Sequence, residues 1–202
     1  MTRLGRGLAV VACVVLGLSG VARADWRDDA MAADARGDYQ TEINILKPRA
    51  EQGLASAQYN LGVMYAQGQG VAQDYKTAAK WYSLAADQGD VDAQYNLGLM
   101  YDNGQGVAQD YKAAVKWYTL AAQQGFADAQ NNLGVMYGKG QGVVQDYVKA
   151  HMWYNIAAID GNSEKAAPNR DAIAEKMTPA QIARAQELAS QCIAQKFRNC
   201  GS

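Results

Sequence analysis

Residues 53–88 read GLASAQYNLGVMYAQGQGVAQDYKTAAKWYSLAADQ, and residues 89–124 read GDVDAQYNLGLMYDNGQGVAQDYKAAVKWYTLAAQQ. About 26 of the 36 positions are identical, and a third block follows from Gly125, with Gly161 opening a fourth. Leu61, Leu97 and Leu133 recur at this step, as do Gly62, Gly98 and Gly134, and then Tyr65, Tyr101 and Tyr137. The phrase GQGV returns at 68–71, 104–107 and 140–143, followed by Asp74-Tyr75, Asp110-Tyr111 and Asp146-Tyr147. Trp81-Tyr82, Trp117-Tyr118 and Trp153-Tyr154 complete the series. A period in the range of about 20–50 residues marks stacked units, each sheltering an apolar face on its neighbour. Such an array offers a surface, whereas an enzyme usually needs one unrepeated pocket.

Within a block, Leu54, Ala57, Gln58, Leu61, Met64 and Tyr65 fall at three- and four-residue steps, the period of an amphipathic helix. GQG then breaks the pattern, because glycine admits the positive φ that a tight turn needs. Asp74 is placed to cap a second helix, which carries Tyr75, Ala78, Trp81, Tyr82 and Ala85 on one side and ends near Gly89. Glycine at position 62, in mid-helix, loses about 1 kcal/mol to alanine. Its return at 98 and 134 therefore predicts close approach of the partner helix, near small residues such as Ala78 and Ala85. The aromatic series reads as core rather than as a cofactor box. Fold class follows: all-α, a solenoid of antiparallel helix pairs.

The ends read as modified units, as an array requires to cover its terminal faces. Asp38-Tyr39 lies one period before Asp74-Tyr75, so residues 25–52 form a degenerate first pair, with Pro48 expected to end or kink its second helix. Three complete repeats fill 53–160. Residues 161–202 are capping helices: one over about 162–177 around Pro168, then one opened by Thr178-Pro179-Ala180-Gln181, a capping box with proline at the first helical position. Ile182, Ala185, Leu188 and Ile193 are expected on the inner side of that last helix.

The first 24 residues have the layout of an export signal: Arg3 and Arg6, an apolar run from Leu8 to Leu18, and Ala22-Arg23-Ala24 before Asp25. The apolar run is shorter than the ~20 residues that span a bilayer. Cys13 in Val-Val-Ala-Cys raises a lipid anchor as a rival, and cleavage near Ala24 is the preferred reading. The mature chain is then expected in the periplasm or the medium, with no transmembrane segment. Losing Arg3, Arg6 and Arg23 from 19 basic residues leaves 16 against 20 acidic, a net charge of −4. That balance argues against nucleic acid, which asks for a basic stripe. Cys192 and Cys200 remain, and two cysteines in an exported chain favour a disulfide. In one unbroken helix they would stand roughly 12 Å apart, so a bridge requires the helix to end near 197–199 and turn back.

The pattern AxAQYNLGxMYxxGQGVxQDYxxAxxWYxxAAxxG resembles the Sel-one-like repeat, a relative of the tetratricopeptide repeat, over roughly residues 36–161. The resemblance implies an α/α superhelix whose first helices line a concave face, and an adaptor role in assembling protein complexes. By analogy with tetratricopeptide grooves, the partner-binding residues are Ser56, Tyr59, Val63 and Gln67, then Asp92, Tyr95, Leu99 and Asn103, then Asp128, Asn131, Val135 and Lys139. Asn60, Asn96 and Asn132 stand beside them, able to bond a peptide backbone. A cysteine-rich branch of the family, with a cysteine pair in each repeat, includes members that bind or hydrolyse β-lactams. These repeats carry no cysteine. A β-lactam- or peptidoglycan-binding hydrolase of that type is one alternative, and a structural protein stacking end to end is another.

Catalysis needs an activated nucleophile, an acid–base pair or a metal. His151 is the single histidine and replaces Ala79 and Val115 of the sister repeats, which reads as a packing or surface position. Asp74, Asp110 and Asp146 read as helix caps. The GQG turns lack the Lys-Ser/Thr of a phosphate loop. The sequence nominates no catalytic residue, no metal and no cofactor, and the expected partner is a protein or peptide.

Overall fold

The computed structural model describes residues 25–159, 163–198 and 200. The export signal expected in the first 24 residues, and Gly161, lie outside that range. Among the described residues ten helices run in order: α1 (Trp26–Ala35), α2 (Tyr39–Glu51), α3 (Ala55–Gln67), α4 (Tyr75–Asp87), α5 (Val91–Asn103), α6 (Tyr111–Gln123), α7 (Ala127–Lys139), α8 (Tyr147–Ala157), α9 (Ala166–Ala174) and α10 (Pro179–Ala194). There is no strand among the described residues. Each helix packs on its neighbour in the chain from α1 to α9, so the array is a row of helix pairs.

The turns are built as the composition implies. Gly68, Gly104 and Gly140 end the first helices in the left-handed region, at φ 73°, 69° and 69°. Asp74, Asp110 and Asp146 accept backbone N–H bonds at the start of the second helices. The loop between is tied down by glutamines: Gln73, Gln109 and Gln145 each donate to a carbonyl in the preceding helix, at 2.8, 2.7 and 2.8 Å. The second glycine of the phrase has a separate task. At Gly106 and Gly142 a Cβ would run into the carbonyls of Tyr75 and Tyr111, so the loop of one repeat rests directly on the start of the previous repeat's second helix.

The core is divided into slabs that straddle repeat boundaries. One slab joins Ala78, Tyr82, Ala85 and Ala86 of α4 to Ala93, Leu97 and Met100 of α5, and Trp117 of α6 reaches back into it. Trp81 and Trp153 repeat that backward reach into the slabs on either side. Each tryptophan thus seals the joint between its own repeat and the one before. Burial increases along the row: Trp81 is half-buried, Trp117 is 8% exposed and Trp153 is 1% exposed.

Mid-helix glycine meets the partner helix closely, as expected, and the atoms nearest to it belong to a tyrosine ring. A Cβ at Gly62, Gly98 or Gly134 would stand 2.5, 2.7 or 2.5 Å from a ring carbon of Tyr82, Tyr118 or Tyr154. The absent side chain makes room for the tyrosine. Buried glutamines supply a second joint. Gln58, Gln94 and Gln130, all 4% exposed or less, donate to the carbonyls of Ala50, Ala86 and Ala122 at the ends of the preceding second helices. Gln88 and Gln124 then donate to Gln58 and Gln94 at 2.7 and 2.8 Å. Each of these helix-end carbonyls, already accepting from the glycine N–H of the following turn, thus takes a second donor from the next repeat.

At the ends the structure departs from several expectations. Pro48 lies inside α2, and the helix continues past it to Glu51. Leu54 is an exposed N-cap at 39%, and Tyr75 is exposed at 37%, because both stand where a turn meets a helix rather than on its inner face. Helix α9 stacks on α8 as the first helix of a fourth repeat would. Helix α10 does not pair with α9; it folds onto α8, burying Ala185, Ala189 and Cys192 while Ile193 stays at the edge, 36% exposed. Thr178 and Gln181 form the expected capping box. The helix ends at Ala194, earlier than expected. Lys196 and Phe197 take positive φ, and the reversed chain brings Cys200 to Cys192 in a disulfide with Cα atoms 5.1 Å apart. Phe197 packs on Gly125 at 3.4 Å.

Candidate functional site

The residues expected to bind a partner lie along the first helices α3, α5 and α7. Tyr59 and Tyr95 are half-buried among them. Their rings lie 5.8 Å from Tyr82 and 6.0 Å from Tyr118, and Tyr95 also meets Phe126 at 4.8 Å. Burial and the nearby Asp92 and Asp90 push the Tyr59 phenol above its ordinary range, opposed by a hydrogen bond with Asn96. Burial and Asp128 do the same to Tyr95, opposed by Asn132. Each tyrosine therefore reaches forward to the asparagine of the following repeat.

The third repeat breaks this step. Asn131 stands where a tyrosine would, is 5% exposed, and accepts a hydrogen bond at 2.9 Å from the Asn169 amide of α9. The shorter side chain leaves room for α9, so Asn131 is engaged by the chain's own end rather than open to a guest. Asn96 also donates to the carbonyl of Asp92 at 2.9 Å, which holds its amide on the helix surface.

The remaining expected residues divide by exposure. Asp92, Gln67, Asn103, Asp128 and Lys139 are exposed. Val63, Leu99 and Val135 are half-buried, each with part of its surface against the core. Tyr95, Asp128, Asn131 and Asn132 converge on a polar cavity of about 430 Å³, closed by Ser163, Glu164 and Lys165. Ser56 and Asn60 converge on another, of about 210 Å³, with Trp26 and Glu42.

His151 is 3% exposed; burial, aided by Arg170 and opposed by Asp171, lowers its pKa and keeps it neutral. Hydrogen bonds from Thr77 hold Asp74 below the usual carboxylate range, as befits a helix cap. No group of three or more His, Cys, Asp or Glu suited to a metal occurs among the described residues. No described helix is long and apolar enough to cross a membrane. Glu42 escaped the sequence reading. Its signal was available: it lies one period before Ala78, Ala114 and Ala150, all fully buried alanines.

A family model described as Sel1 repeat matches residues 55–90, 91–126 and 127–162, over half of the chain. The chain belongs to the Sel1 repeat family. Sel1 repeats generally serve as protein-interaction or scaffold modules, and the family is generally non-enzymatic. Among solved structures, a Sel1 repeat protein from Oxalobacter formigenes is 40% identical with a TM-score of 0.59, over 65% of this chain and 98% of that one. Another, c5321, a protective antigen of uropathogenic Escherichia coli strains displaying an SLR fold, is 29% identical with a TM-score of 0.50. That match covers 78% of this chain and 42% of the antigen, so the chain spans less than half its length. No curated protein matches. The Sel1 matches begin at Ala55, two residues after the Gly53 that opens the sequence block, and coincide with the start of α3.

Proposed function

We propose that this Sel1 repeat protein is an exported adaptor whose first-helix row receives an extended or helical segment of a protein partner. The observation that supports this most directly is the row itself: three helices one period apart present half-buried Val63, Leu99 and Val135 beside exposed Gln67, Asn103 and Lys139. Apolar side chains already partly desolvated, flanked by exposed amides and a lysine, suit an amphipathic guest. Asn96, whose amide donates to the Asp92 carbonyl of its own helix, is partly ordered before binding and loses less freedom on it. The chain performs no catalysis in this reading. Export follows removal of the segment ending near Ala24, and mass measurement of the cell-envelope form tests it: a mature chain starting elsewhere than Asp25 removes that part.

Photo-cross-linking groups at Gln67 and Asn103, compared with the exposed Lys80 and Lys116 on second helices, test the row in intact cells. Capture of one and the same protein from Gln67 and Asn103, and not from the lysines, is expected. Equal or exclusive capture from Lys80 or Lys116 overturns the assignment.

A further inference from the structure

Glu42 replaces, one period earlier, an alanine that is completely buried in every complete repeat. The position remains interior in α2. Glu42 is 8% exposed, and its Oε2 has no hydrogen-bond partner. A buried carboxylate without a donor is strongly disfavoured, so an acid kept here needs either a proton or a ligand. It lines the cavity of about 210 Å³ between α1, α2 and α3. Asp34 brings a second carboxyl to that cavity, Trp26, Ala30 and Met31 form an apolar wall, and Ser56 and Asn60 add polar groups from α3.

Two arginines stand nearby, and one of them, Arg27, is part of the cavity lining. Arg27 pairs with Asp25 at 3.6 Å and lies 4.7 Å from the Trp26 ring centre. Arg49 donates to the Ile45 carbonyl at 2.6 Å and lies 5.2 Å from the same ring. Burial, and then Asp34, raise the Glu42 pKa, and no cation offsets them.

We propose that this cavity binds a primary alkylammonium group, with Glu42 as its main acceptor and Asp34 as its second. Trp26 and Met31 sheathe the aliphatic stem. A guanidinium fits less well, because it seeks a flat stacking face and two arginines already occupy the indole. Ser56 and Asn60 belong both to this cavity and to the first-helix row, which makes the lysine side chain of a bound segment the source of the amine. That source rests on the proposed adaptor role; the site itself does not.

The test is a calorimetric titration of the mature chain with n-butylammonium, with neutral 1-butanol, and with an Nα-acetyl-lysine amide. Saturable binding of both amines is expected, with 1-butanol weaker by about tenfold or more. Glu42→Gln should weaken amine binding by about tenfold or more, and Asp34→Asn by less. Glu42→Ala restores the residue of the sister repeats and serves as a second variant whose fold is assured by that precedent. Butanol matching the amines, no saturable amine binding, or undiminished binding by both Glu42 variants overturns the site. A lysine amide binding more weakly than butylammonium overturns lysine as the source. Cross-linking from Gln67 and Asn103 does not pass through Glu42, so failure of the cavity and failure of the row are told apart.

Discussion

Gly62 lies beneath the ring of Tyr82, so close that a single added carbon would stand 2.5 Å from the tyrosine Cδ1. The same pairing joins Gly98 to Tyr118 and Gly134 to Tyr154. Helix propensity alone favours alanine at these positions by about 1 kcal/mol, and overpacking a full core opposes it by about 1–3 kcal/mol. Packing wins here because Tyr118 is fully buried and has nowhere to move. Gly98→Ala should therefore lower stability, by up to about 2 kcal/mol, read from denaturant midpoints. Combining it with Tyr118→Leu should cost less than the sum of the two single changes, since the smaller side chain vacates the clash. Additivity would show that the ring is not the obstacle.

The glutamine joints make a separate claim. Gln94→Leu has almost the same volume but removes the side-chain donor to the Ala86 carbonyl, leaving it the Gly89 N–H, and takes from the Gln124 amide one of its two acceptors, leaving the Gly89 carbonyl. A loss of about 1–3 kcal/mol is expected. A double-mutant cycle with Gln124→Ala should give a coupling of at least about 0.5 kcal/mol. Zero coupling would mean that the two amides act independently.

Tryptophan burial predicts a gradient. Trp153→Ala, at 1% exposure, should cost about 3–5 kcal/mol, and Trp81→Ala clearly less, because the first tryptophan keeps part of its ring in water. Trp153→Phe is expected to be mild: the indole Nε1 is buried without a partner, so losing it removes an unsatisfied donor. Thermal melts of the three variants order them.

Two buried titratable groups predict opposite limbs of the pH profile. His151 has its pKa lowered from 6.5, so the unfolded chain takes up a proton that the folded chain refuses. Its contribution is lost as pH falls below about 6.5. His151→Val, the residue at the matching position of the second complete repeat, should flatten that limb. Glu42 has its pKa raised from 4.5, so the folded chain holds the extra proton and stability falls as pH rises from about 4.5 through the folded value. Glu42→Gln should remove this loss and leave the protein more stable at neutral pH than its parent. Midpoints measured across pH 4–8 check both signs.

The C-terminal disulfide closes a short loop, which in the chain-entropy account stabilises by roughly 2–3 kcal/mol. It fastens only the reversal after α10, where Phe197 covers Gly125. Reduction should speed amide exchange in α10 while α5 stays protected, because α10 packs chiefly on α8. Uniform acceleration in both helices would contradict a local staple.

Several particulars were legible in the sequence because they depend on near neighbours. Asp74, Asp110 and Asp146 announced the second helices, Thr178 and Gln181 the last one, and Gly68 with its equivalents the turns. The alternation of Leu61, Met64 and Tyr65 placed the inner stripe of α3. The site was less legible. Asn131 shares its sequence pattern with Tyr59 and Tyr95, yet it is buried by Asn169, a residue 38 positions away with no counterpart in the repeats. Glu42 carried a signal in its register with Ala78, although its cavity exists only because the short α1 leans on α2 and α3.

The sequence by itself determined the helix pairs, their turns and the membership of the core, since a 36-residue period and three-to-four-residue stripes are fixed by backbone geometry within one repeat. Tertiary structure alone decided that each tryptophan seals the repeat behind it, that glycine accommodates a tyrosine, and that α10 turns back onto α8 instead of pairing with α9. Those outcomes depend on which surfaces are left uncovered once neighbouring helices have met, and no local period encodes that.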